Sequence, residues 1–455
     1  MFGDVYLEAN SCAELSDPAP FEQAQVICTM YVMFNLFTPM TARIPLFFLI
    51  ASGFFAFPGF SRSAVSRIDA GKYPDLQSAV DALPDTGGTV IVPAGEYVLS
   101  SPLRITSENV VVAGEGAGTV IKNANTNGQP AVLLAPKGFE KNRKLRLWRI
   151  QMTNLRITGT ANSGHGILAQ GIQEILLRNI TVDHNGGHGV FLDHCYENPR
   201  VVNCMITYNA LSGLHLVGCH DIVVNANQFE ENLDALRCHD GFNLTMNGNN
   251  LDDHLRHGVV VENTYGSVLS GNMIEECNGT AVILDRDVYG VTVSANVIAH
   301  NMSGGVHCLD AHGCAISANT FTLVHSNSVY VARDSSRLTI TGNNFCNSYT
   351  GHGTIRRKTD REVEKRPIQW DIGTGVKIEG ASNIVISGNI FAGLDEAAIQ
   401  ASDDSVAILV NGNLVTDVNR HKPGGEPLEL PRSAIRNGNV YNPKADDPKK
   451  NLNPL

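Results

Sequence analysis

A repeat of about 23 residues, marked by asparagine, constrains the fold of this chain more than any other feature. The asparagine precedes a short apolar pair, as in "RNITV" around Asn179 and "GNMI" around Asn272. The series comprises Asn154, Asn179, Asn203, Asn227, Asn249, Asn272, Asn296, Asn319, Asn343, Asn389 and Asn413. The successive intervals are 25, 24, 24, 22, 23, 24, 23, 24, 46 and 24 residues, and we interpret the 46 as two periods. Such a series indicates a solenoid, in which each period is one stacked unit.

Each period also carries a short segment in which apolar and variable residues alternate. Examples are "GVFL" from Gly189, "GVVV" from Gly258 and "GVHC" from Gly305. Alternation with a period of two is typical of a strand, and the absence of helical periodicity between the strands excludes βαβ units. The "LxxLxL" signature of leucine-rich repeats is also absent.

The pattern therefore predicts an all-β fold, a single-stranded right-handed parallel β-helix over residues 70–420. Successive coils should stack at about 4.8 Å. The repeated asparagines should form a ladder at one turn, where their amides hydrogen-bond from coil to coil.

Both ends of the chain differ from the repeat. Residues 40–63, "MTARIPLFFLIASGFFAFPGFSRS", predict a secretory signal peptide, because Arg43 precedes an apolar run followed by small residues. The run from Ile44 to Phe57 is short for a membrane anchor, which needs roughly 20 residues. Residues 1–39 would then precede the true start. "PDLQSAVDAL" (74–83) predicts a short N-terminal capping helix, and residues 421–455 predict an irregular C-terminal tail.

Composition narrows the class of partner. The 455 residues carry a net charge of −11, which argues against a nucleic-acid partner but not against a local basic patch. The ten cysteines form no CxxC pair, so a structural zinc site is not expected. Cys238 and Cys308 should face the core. Cys195 and Cys219 fall in one column on adjacent coils, where a disulfide is geometrically possible.

The stretch "YPDLQSAVDALPDTGGTVIVPAGEYVLSSPLRI" (73–105) resembles the N-terminal signature of the pectate-lyase superfamily, in its rhamnogalacturonase and epimerase-like branch. The following coils are similar to the carbohydrate-binding β-helix repeats of that superfamily. The resemblance implies a protein that acts on or binds polysaccharide, because the superfamily includes lyases, hydrolases, C5-epimerases and non-catalytic members. "GHG" at 187–189 lies too early for the polygalacturonase motifs, and the D-P-H-D motif of mannuronan epimerases is absent.

Aligning the coils on the short strand gives columns of outward-facing residues, and one face across about six coils is rich in histidine, arginine and aspartate. We predict that this face is a groove, although polar residues on a solvated sheet need no function. The candidate catalytic residues are Arg237, His239, Asp240, Asp285 and His307. The candidate substrate-binding residues are Asp193, His215, Glu262, Arg286, Asp287, Asp310, Tyr330 and Arg333.

Elimination or C5-epimerisation of a uronate needs a cation for the sugar carboxylate, a base for the C5 proton and an acid. Arg237 or Arg286 fits the first role. His239 or Asp240 fits the second, and His307 or Tyr330 the third.

Two other chemistries fit the same face. Hydrolysis needs two carboxylates, which Asp240 with Asp285 or Asp287 would supply. A metal is the third option, either through convergence of His215, His239, Asp285 and His307 or as calcium on the acidic column. Elimination or epimerisation as described above requires no cofactor or resident metal.

We therefore expect an exported protein, secreted, periplasmic or at the cell surface, without a stable membrane span once the signal is removed. The leading hypothesis is a polysaccharide lyase or C5-epimerase acting on an acidic, uronate-containing polysaccharide. The alternatives are a glycoside hydrolase of pectin-like polymers and a non-catalytic polysaccharide-binding surface protein. The segment 354–367, "TIRRKTDREVEKRP", is either a solvated loop or a basic wall beside the groove. The oligomeric state is left open.

Overall fold

The computed structural model describes residues 66–346 and 373–442. The predicted signal peptide (40–63), the segment 1–39 and the basic segment 354–367 lie outside the described residues. In the described part the chain winds through three long parallel sheets, to each of which most coils add one strand. This is the architecture of a parallel β-helix, and the all-β prediction is confirmed.

The first sheet has 17 strands and the second has 14. The first contains β1 (Arg67–Asp69), β2 (Gly88–Val92), β5 (Val110–Gly114), β9 (Gln151–Thr153), β13 (Leu176–Arg178), β16 (Arg200–Val202), β19 (Val223–Asn225), β22 (Thr245–Asn247), β25 (Val268–Ser270), β28 (Val288–Tyr289), β29 (Thr292–Ser294), β32 (Ala311–His312), β33 (Ala315–Ser317), β36 (Ser336–Thr341), β39 (Ser382–Ser387), β42 (Val406–Asn411) and β45 (Ile435–Asn437). The second contains β3 (Gly95–Leu99), β6 (Thr119–Asn123), β10 (Arg156–Thr158), β14 (Thr181–Asp183), β17 (Met205–Thr207), β20 (Gln228–Glu230), β23 (Asn250–Asp252), β26 (Met273–Glu275), β30 (Val297–Ala299), β34 (Thr320–Thr322), β37 (Asn344–Cys346), β40 (Ile390–Ala392), β43 (Leu414–Thr416) and β46 (Val440–Asn442).

The third sheet, with 13 strands, carries the predicted groove. It contains β4 (Leu103–Ile105), β7 (Val132–Leu134), β11 (Ile167–Gln170), β15 (Val190–Asp193), β18 (Leu214–Val217), β21 (Asp234–His239), β24 (His257–Glu262), β27 (Thr280–Asp285), β31 (Gly304–Cys308), β35 (Val329–Val331), β38 (Val376–Ile378), β41 (Ile399–Ala401) and β44 (Leu428–Glu429). A further pair joins β8 (Leu147–Trp148) to β12 (Ile172–Gln173). Alternation holds along β21, where Leu236 and Cys238 are buried while Arg237 and His239 reach the outer face.

The asparagine ladder is present, but the repeated asparagines occupy two columns rather than one. From Asn227 onward each side chain is buried and its amide nitrogen donates to the Oδ1 of the asparagine one coil on, at 2.9–3.1 Å. Asn154, Asn179 and Asn203 lie one place earlier, at exposed turn positions with φ between 52° and 56°. Asparagine tolerates this left-handed conformation better than most residues, which explains its use in the exposed column, whereas the buried column uses the amide for the ladder of hydrogen bonds.

The interval of 46 residues is not two stacked coils. Asn343 donates directly to Asn389 at 3.1 Å. Strand β36 pairs with β39 along its length, from the Ser336–Ser382 pair to the Thr341–Ser387 pair. The coils on either side of the extra residues are therefore neighbours, and one period's worth of chain is an insertion between them.

The N-terminal segment contains a 3-10 turn, η1 (Ala70–Lys72), and the short helix α1 (Leu76–Asp81). The carboxylate of Asp75 accepts a hydrogen bond from the Ser78 backbone N–H at 2.7 Å and so caps the helix. Leu76 and Val80 are buried in the hydrophobic core. The role of α1 as an end cap, like the superfamily assignment from this segment, stays a prediction.

The C-terminal segment differs from the expected irregular tail. Within residues 421–442, β44, β45 and β46 add one strand to the third, first and second sheets respectively. These strands follow prolines and lack a clear apolar alternation, which is why the repeat is hard to see there.

All eight cysteines of the described part are free thiols. Cys195 and Cys219, the pair considered for a disulfide, are buried, and each donates to a main-chain carbonyl, Ala169 and Leu192 respectively. Cys238 and Cys308 face the core as expected, and burial raises the pKa of the Cys238 thiol to about 12. A thiol with so high a pKa is a packing residue rather than a nucleophile.

Candidate functional site

The outer face of the third sheet presents the predicted columns in the predicted register. His215 pairs with Arg237 across adjacent strands, and His239 pairs with Glu262, which pairs with Asp285. Because the strands are parallel and in register, residues of one column repeat at about 4.8 Å per coil. The face therefore brings the candidate residues Arg237, His239, Glu262 and Asp285 onto the adjacent coils formed by β21, β24 and β27.

At the centre, two arginines share one carboxylate. Glu262 is buried, and its Oε2 lies 2.7 Å from Arg237 Nη2 while its Oε1 lies 3.2 Å from Arg286 Nε. Arg237 is mostly covered, whereas Arg286 projects into solvent. Two positive charges against one negative charge leave this group a net charge of +1, and the guanidinium of Arg286 is open to an incoming anion.

Beside the arginines lies a histidine–aspartate pair. His239 Nε2 is 3.1 Å from Asp240 Oδ2, and its Nδ1 is buried without a hydrogen-bond partner in the described part of the chain. The opposite oxygen of Asp240 accepts from Asn263 Nδ2 at 2.5 Å. Asn263 in turn accepts from the Tyr265 hydroxyl at 2.8 Å, so the carboxylate of Asp240 is oriented from two sides while it stays exposed.

His307 and Tyr330 do not join this cluster, contrary to the sequence-based hypothesis that either returns the proton taken by His239 or Asp240. The column from Arg237 to His307 passes through Val260 and Ile283, a distance of three coils or about 14 Å. That separation is too great for one sugar residue.

His307 and Tyr330 instead pack against each other, with ring centroids 5.4 Å apart. The Tyr330 hydroxyl donates to Glu379 at 2.7 Å. Burial, with the hydrogen bond to Glu379, raises the pKa of Tyr330 to about 12, so its proton is held rather than delivered.

Three predicted substrate-binding residues are engaged elsewhere. Asp193 is buried and bonds Arg143 at 2.7 Å and Gln170 at 3.0 Å. Arg333 pairs with Asp404. The carboxylate of Asp310 accepts from the Asp287 backbone N–H at 2.8 Å and lies 3.0 Å from His312 Nε2, so that Asp287 and Asp310 form the border of the face.

A stack of imidazoles flanks the site and was only partly anticipated, through His215. His165, His188 and His215 succeed one another, with ring centroids 5.1 and 4.4 Å apart and planes within 19° and 4° of parallel. His165 and His188 occupy the position just before the strand, a column the sequence analysis did not read. Burial lowers the pKa of His188 to about 3 and that of His215 to about 4, with neighbouring imidazole and arginine charges adding to the effect. The stack is therefore neutral at physiological pH.

These low pKa values make the stability of the fold fall in mild acid. A histidine whose folded pKa lies below its unfolded value of 6.5 contributes stability that is complete above that pH and is lost as the pH falls toward the folded pKa. The carboxyl of Asp253 opposes this, because burial and Glu276 raise its pKa to about 7.

Replacing His188 by asparagine isolates the histidine contribution. Asparagine keeps an acceptor for the Ser212 backbone N–H, which donates to His188 Nδ1 at 3.1 Å. We expect the loss of unfolding free energy between about pH 7 and pH 5 to shrink by about 2 kcal/mol, measured by urea denaturation. Phe191→Leu, which alters the adjacent packing without removing a titrating group, should leave that pH dependence unchanged. An unaltered slope in His188→Asn would contradict the assignment.

The four residues considered as converging metal ligands, His215, His239, Asp285 and His307, do not come together. Among the described residues, the groups whose ligand atoms lie within 4.8 Å of one another are Glu275, Glu276 and His300, and Asp252, Asp253 and Glu276. Both lie at the ends of second-sheet strands, away from the predicted acidic column. Calcium on that column stays a prediction.

A family model described as "Periplasmic copper-binding protein (NosD)" matches residues 148–322, and one described as "Right handed beta helix region" matches residues 289–424. Each spans less than half of the chain. The second agrees with the expected right-handed winding of parallel crossovers, so the protein is a right-handed parallel β-helix. No curated protein matches the chain.

Solved structures with a similar backbone path are diverse. They include the A-module of mannuronan C-5 epimerase AlgE6 from Azotobacter vinelandii (17% identity, 83% of this chain, 100% of that chain, TM-score 0.47). They also include tailspike protein 3 of bacteriophage CBA120 (12%, 80% and 62%, TM-score 0.49) and PfbA, a surface adhesin of Streptococcus pneumoniae (12%, 78% and 91%, TM-score 0.43).

Copper, named in the description of the first family model, does not fit the groups found here. Copper sites use imidazole, thiolate and thioether ligands, whereas both groups of potential ligands are dominated by carboxylates. The stacked imidazoles of His165 and His188 turn their Nδ1 atoms to backbone N–H donors.

In residues 66–346 and 373–442 no helix is long and apolar enough to cross a membrane.

Proposed function

We propose that this protein is an exported carbohydrate-active β-helix that acts on a uronate-containing polysaccharide by β-elimination or C5-epimerisation. The observation that supports it is the juxtaposition of the Arg237–Glu262–Arg286 group, which has a net positive charge, with the exposed carboxylate of Asp240 on the same face. The resemblance of residues 73–105 to polysaccharide-active β-helices points the same way.

In this reaction the sugar carboxylate binds Arg286, whose guanidinium faces solvent. Charge neutralisation at the carboxylate makes the C5 proton more acidic, since the developing negative charge spreads onto it. The Asp240 carboxylate takes that proton. In elimination the C5 electron pair then forms the C4=C5 double bond while the C4–O bond breaks and its oxygen takes a proton from water, and in epimerisation C5 takes a proton from water on the opposite face. His239 is a positioning residue, because its Nε2 holds Asp240 while its other nitrogen is buried.

Replacing Asp240 by asparagine tests the proposal. We expect turnover to fall by about 100-fold or more, because the base is lost while size and hydrogen bonding to Asn263 are kept. Purified protein is incubated with pectin, alginate and glycosaminoglycans. Elimination is followed by the ultraviolet absorbance of the unsaturated product and epimerisation by the uronate ratio in NMR spectra.

The matched control is Asp221→Asn, since Asp221 accepts from Asn243 on the next coil at 2.9 Å in the same way. It should retain full turnover. Full activity in Asp240→Asn, or absence of product from every acidic glycan, would remove the proposal.

Glycoside hydrolysis is a second candidate, favoured by the charge of the face. Five carboxylates, Asp240, Glu262, Asp285, Asp287 and Asp310, accompany only two arginines, a balance better suited to an uncharged polymer. Asp240 and Asp285 are two coils apart, about 10 Å, near the upper limit for an inverting pair of carboxylates. New reducing ends without an unsaturated product would favour hydrolysis. Glycan binding without any product would favour a non-catalytic surface protein.

The location is proposed together with the activity. The predicted signal peptide at 40–63 and the description of the matching family model as periplasmic both support a place outside the cytoplasm. The partner is then a polysaccharide of the cell envelope or surroundings. Detection of the protein in the periplasmic or culture fraction tests this point directly.

A further inference from the structure

An exposed column of aromatic rings runs beside the proposed site. It lies around the corner from the third sheet, seven or eight places after the leading glycine or alanine of each coil. We call it the aromatic ridge, and its members are Tyr196, His220, Phe242, Tyr265, Tyr289 and His312. Parallel bridges join His220 to Phe242, Phe242 to Tyr265 and Tyr265 to Tyr289, and Tyr289 pairs with His312. Six consecutive coils therefore place a ring at the same point of the surface.

The middle of the ridge is open to solvent. Phe242 is 45% exposed and Tyr289 is 51% exposed, although both rings are large and apolar. A contiguous exposed aromatic surface on a folded protein marks a binding site more often than an ordinary surface.

The neighbouring rings of the ridge do not stack face to face. Tyr196 and His220 have centroids 4.5 Å apart, His220 and Phe242 5.9 Å, and both pairs are tilted by 57°. Inside the core, by contrast, Phe345 and Phe391 stack within 5° of parallel. The tilt leaves part of each ring face uncovered, which is the surface that an apolar ligand face contacts.

Charge along the ridge selects the kind of ligand. Its border toward the site carries three carboxylates, those of Asp240, Asp287 and Asp310, against one exposed arginine, Arg286. The Tyr265 hydroxyl donates to Asn263, which binds Asp240, so the ridge is continuous with the proposed site. Among residues 66–346 and 373–442, a cation lies over a ring of the ridge at one end, where Arg146 is 4.8 Å from the Tyr196 ring centroid. A polyanion would meet repulsion along most of the ridge.

We propose that the aromatic ridge binds the uncharged sugar residues of an extended glycan chain lying parallel to the helix axis. Sugar rings present C–H-rich faces to aromatic rings and hydroxyls to the flanking carboxylates, which accept hydrogen bonds. Five coil spacings span about 24 Å, room for several sugar residues. The inference goes beyond the proposed reaction and does not depend on it.

Binding is measured by calorimetry with cellohexaose, mannohexaose, maltohexaose and hexamannuronate, using the full chain. We expect at least one neutral hexasaccharide to bind more tightly than hexamannuronate, and Phe242→Ala/Tyr289→Ala to weaken that binding at least tenfold. Both replaced side chains are exposed, so the fold is retained, as circular dichroism would verify. The control is Tyr441→Ala, an equally exposed tyrosine (48%) on β46, which should bind like the parent.

Three results would overturn the proposal. They are the absence of binding to every neutral hexasaccharide, unchanged affinity in the double variant, and a dimer in sedimentation that the double variant dissociates. The last would assign the ridge to contact between two copies of the chain. Because none of these measurements uses turnover, failure of the ridge and failure of the proposed reaction are distinguishable.

Discussion

Replacement of Asn296 by leucine is expected to lower the free energy of unfolding by about 4 kcal/mol. The side chain is buried, and its amide nitrogen donates to the Leu269 carbonyl and to Asn319 Oδ1, both at 3.0 Å. Its oxygen accepts from the backbone N–H and the amide of Asn272, at 2.9 and 3.0 Å. Leucine has similar bulk but removes these four hydrogen bonds from the interior, and each costs about 1 kcal/mol or more.

The measurement is equilibrium urea denaturation of parent and variant. The matched control is Asn203→Gly, in the exposed column of the same repeat, where φ is 53° and glycine adopts the conformation without strain. We expect a loss of less than about 1 kcal/mol there. Equal losses at the two positions would show that the ladder does not stabilise the solenoid.

Replacement of Asp234 by alanine is expected to cost about 3–5 kcal/mol of unfolding free energy. Asp234 is fully buried at the start of β21, where its carboxylate binds Arg256 Nε at 2.8 Å and the His257 backbone N–H at 3.1 Å. Burial on its own would raise the pKa of Asp234, but the pairing with Arg256 outweighs it and holds the pKa below its usual value. Loss of the carboxylate leaves a guanidinium and a backbone donor without their partner.

The control for Asp234 is Asp404→Ala. Asp404 also pairs with an arginine, Arg333, but both side chains are exposed, and an exposed pair contributes little because solvent screens it. Thermal unfolding of the two variants should show a large shift only for Asp234→Ala. If the double variant Asp234→Ala/Arg256→Ala is more stable than the single one, the unpaired arginine is the source of the loss.

Much of the fold could be predicted because its information is local and repeated. Strand alternation and the interval between asparagines report on backbone direction and coil length, and every coil repeats them. The same reasoning failed to separate the two adjacent columns of asparagines. Asn203 and Asn227 look equivalent in sequence, yet one is exposed at a left-handed turn and the other is buried.

The candidate site was predictable as a face but not as a set of contacts. Register alone placed Arg237, His239 and Glu262 together, because neighbouring strands align residue by residue. It could not show that Glu262 forms an ion pair with Arg237, or that His307 lies three coils away from Arg237. The aromatic ridge was missed because the columns were read only to the strand end, although the sequence holds the signal seven or eight places after the leading glycine or alanine of each coil.

The sequence by itself determined the solenoid, its parallel strands and which residues face outward, since these follow from periodicities of two and about 23. Only the tertiary structure decided which outward residues meet, that the extra chain between Asn343 and Asn389 is an insertion, and that the buried Asp193 pairs with Arg143. The physical reason is that the repeat fixes which coil a residue lies on and where it lies around that coil. Ion pairs, side-chain tilt and insertions depend instead on contacts between residues 20 to 50 positions apart.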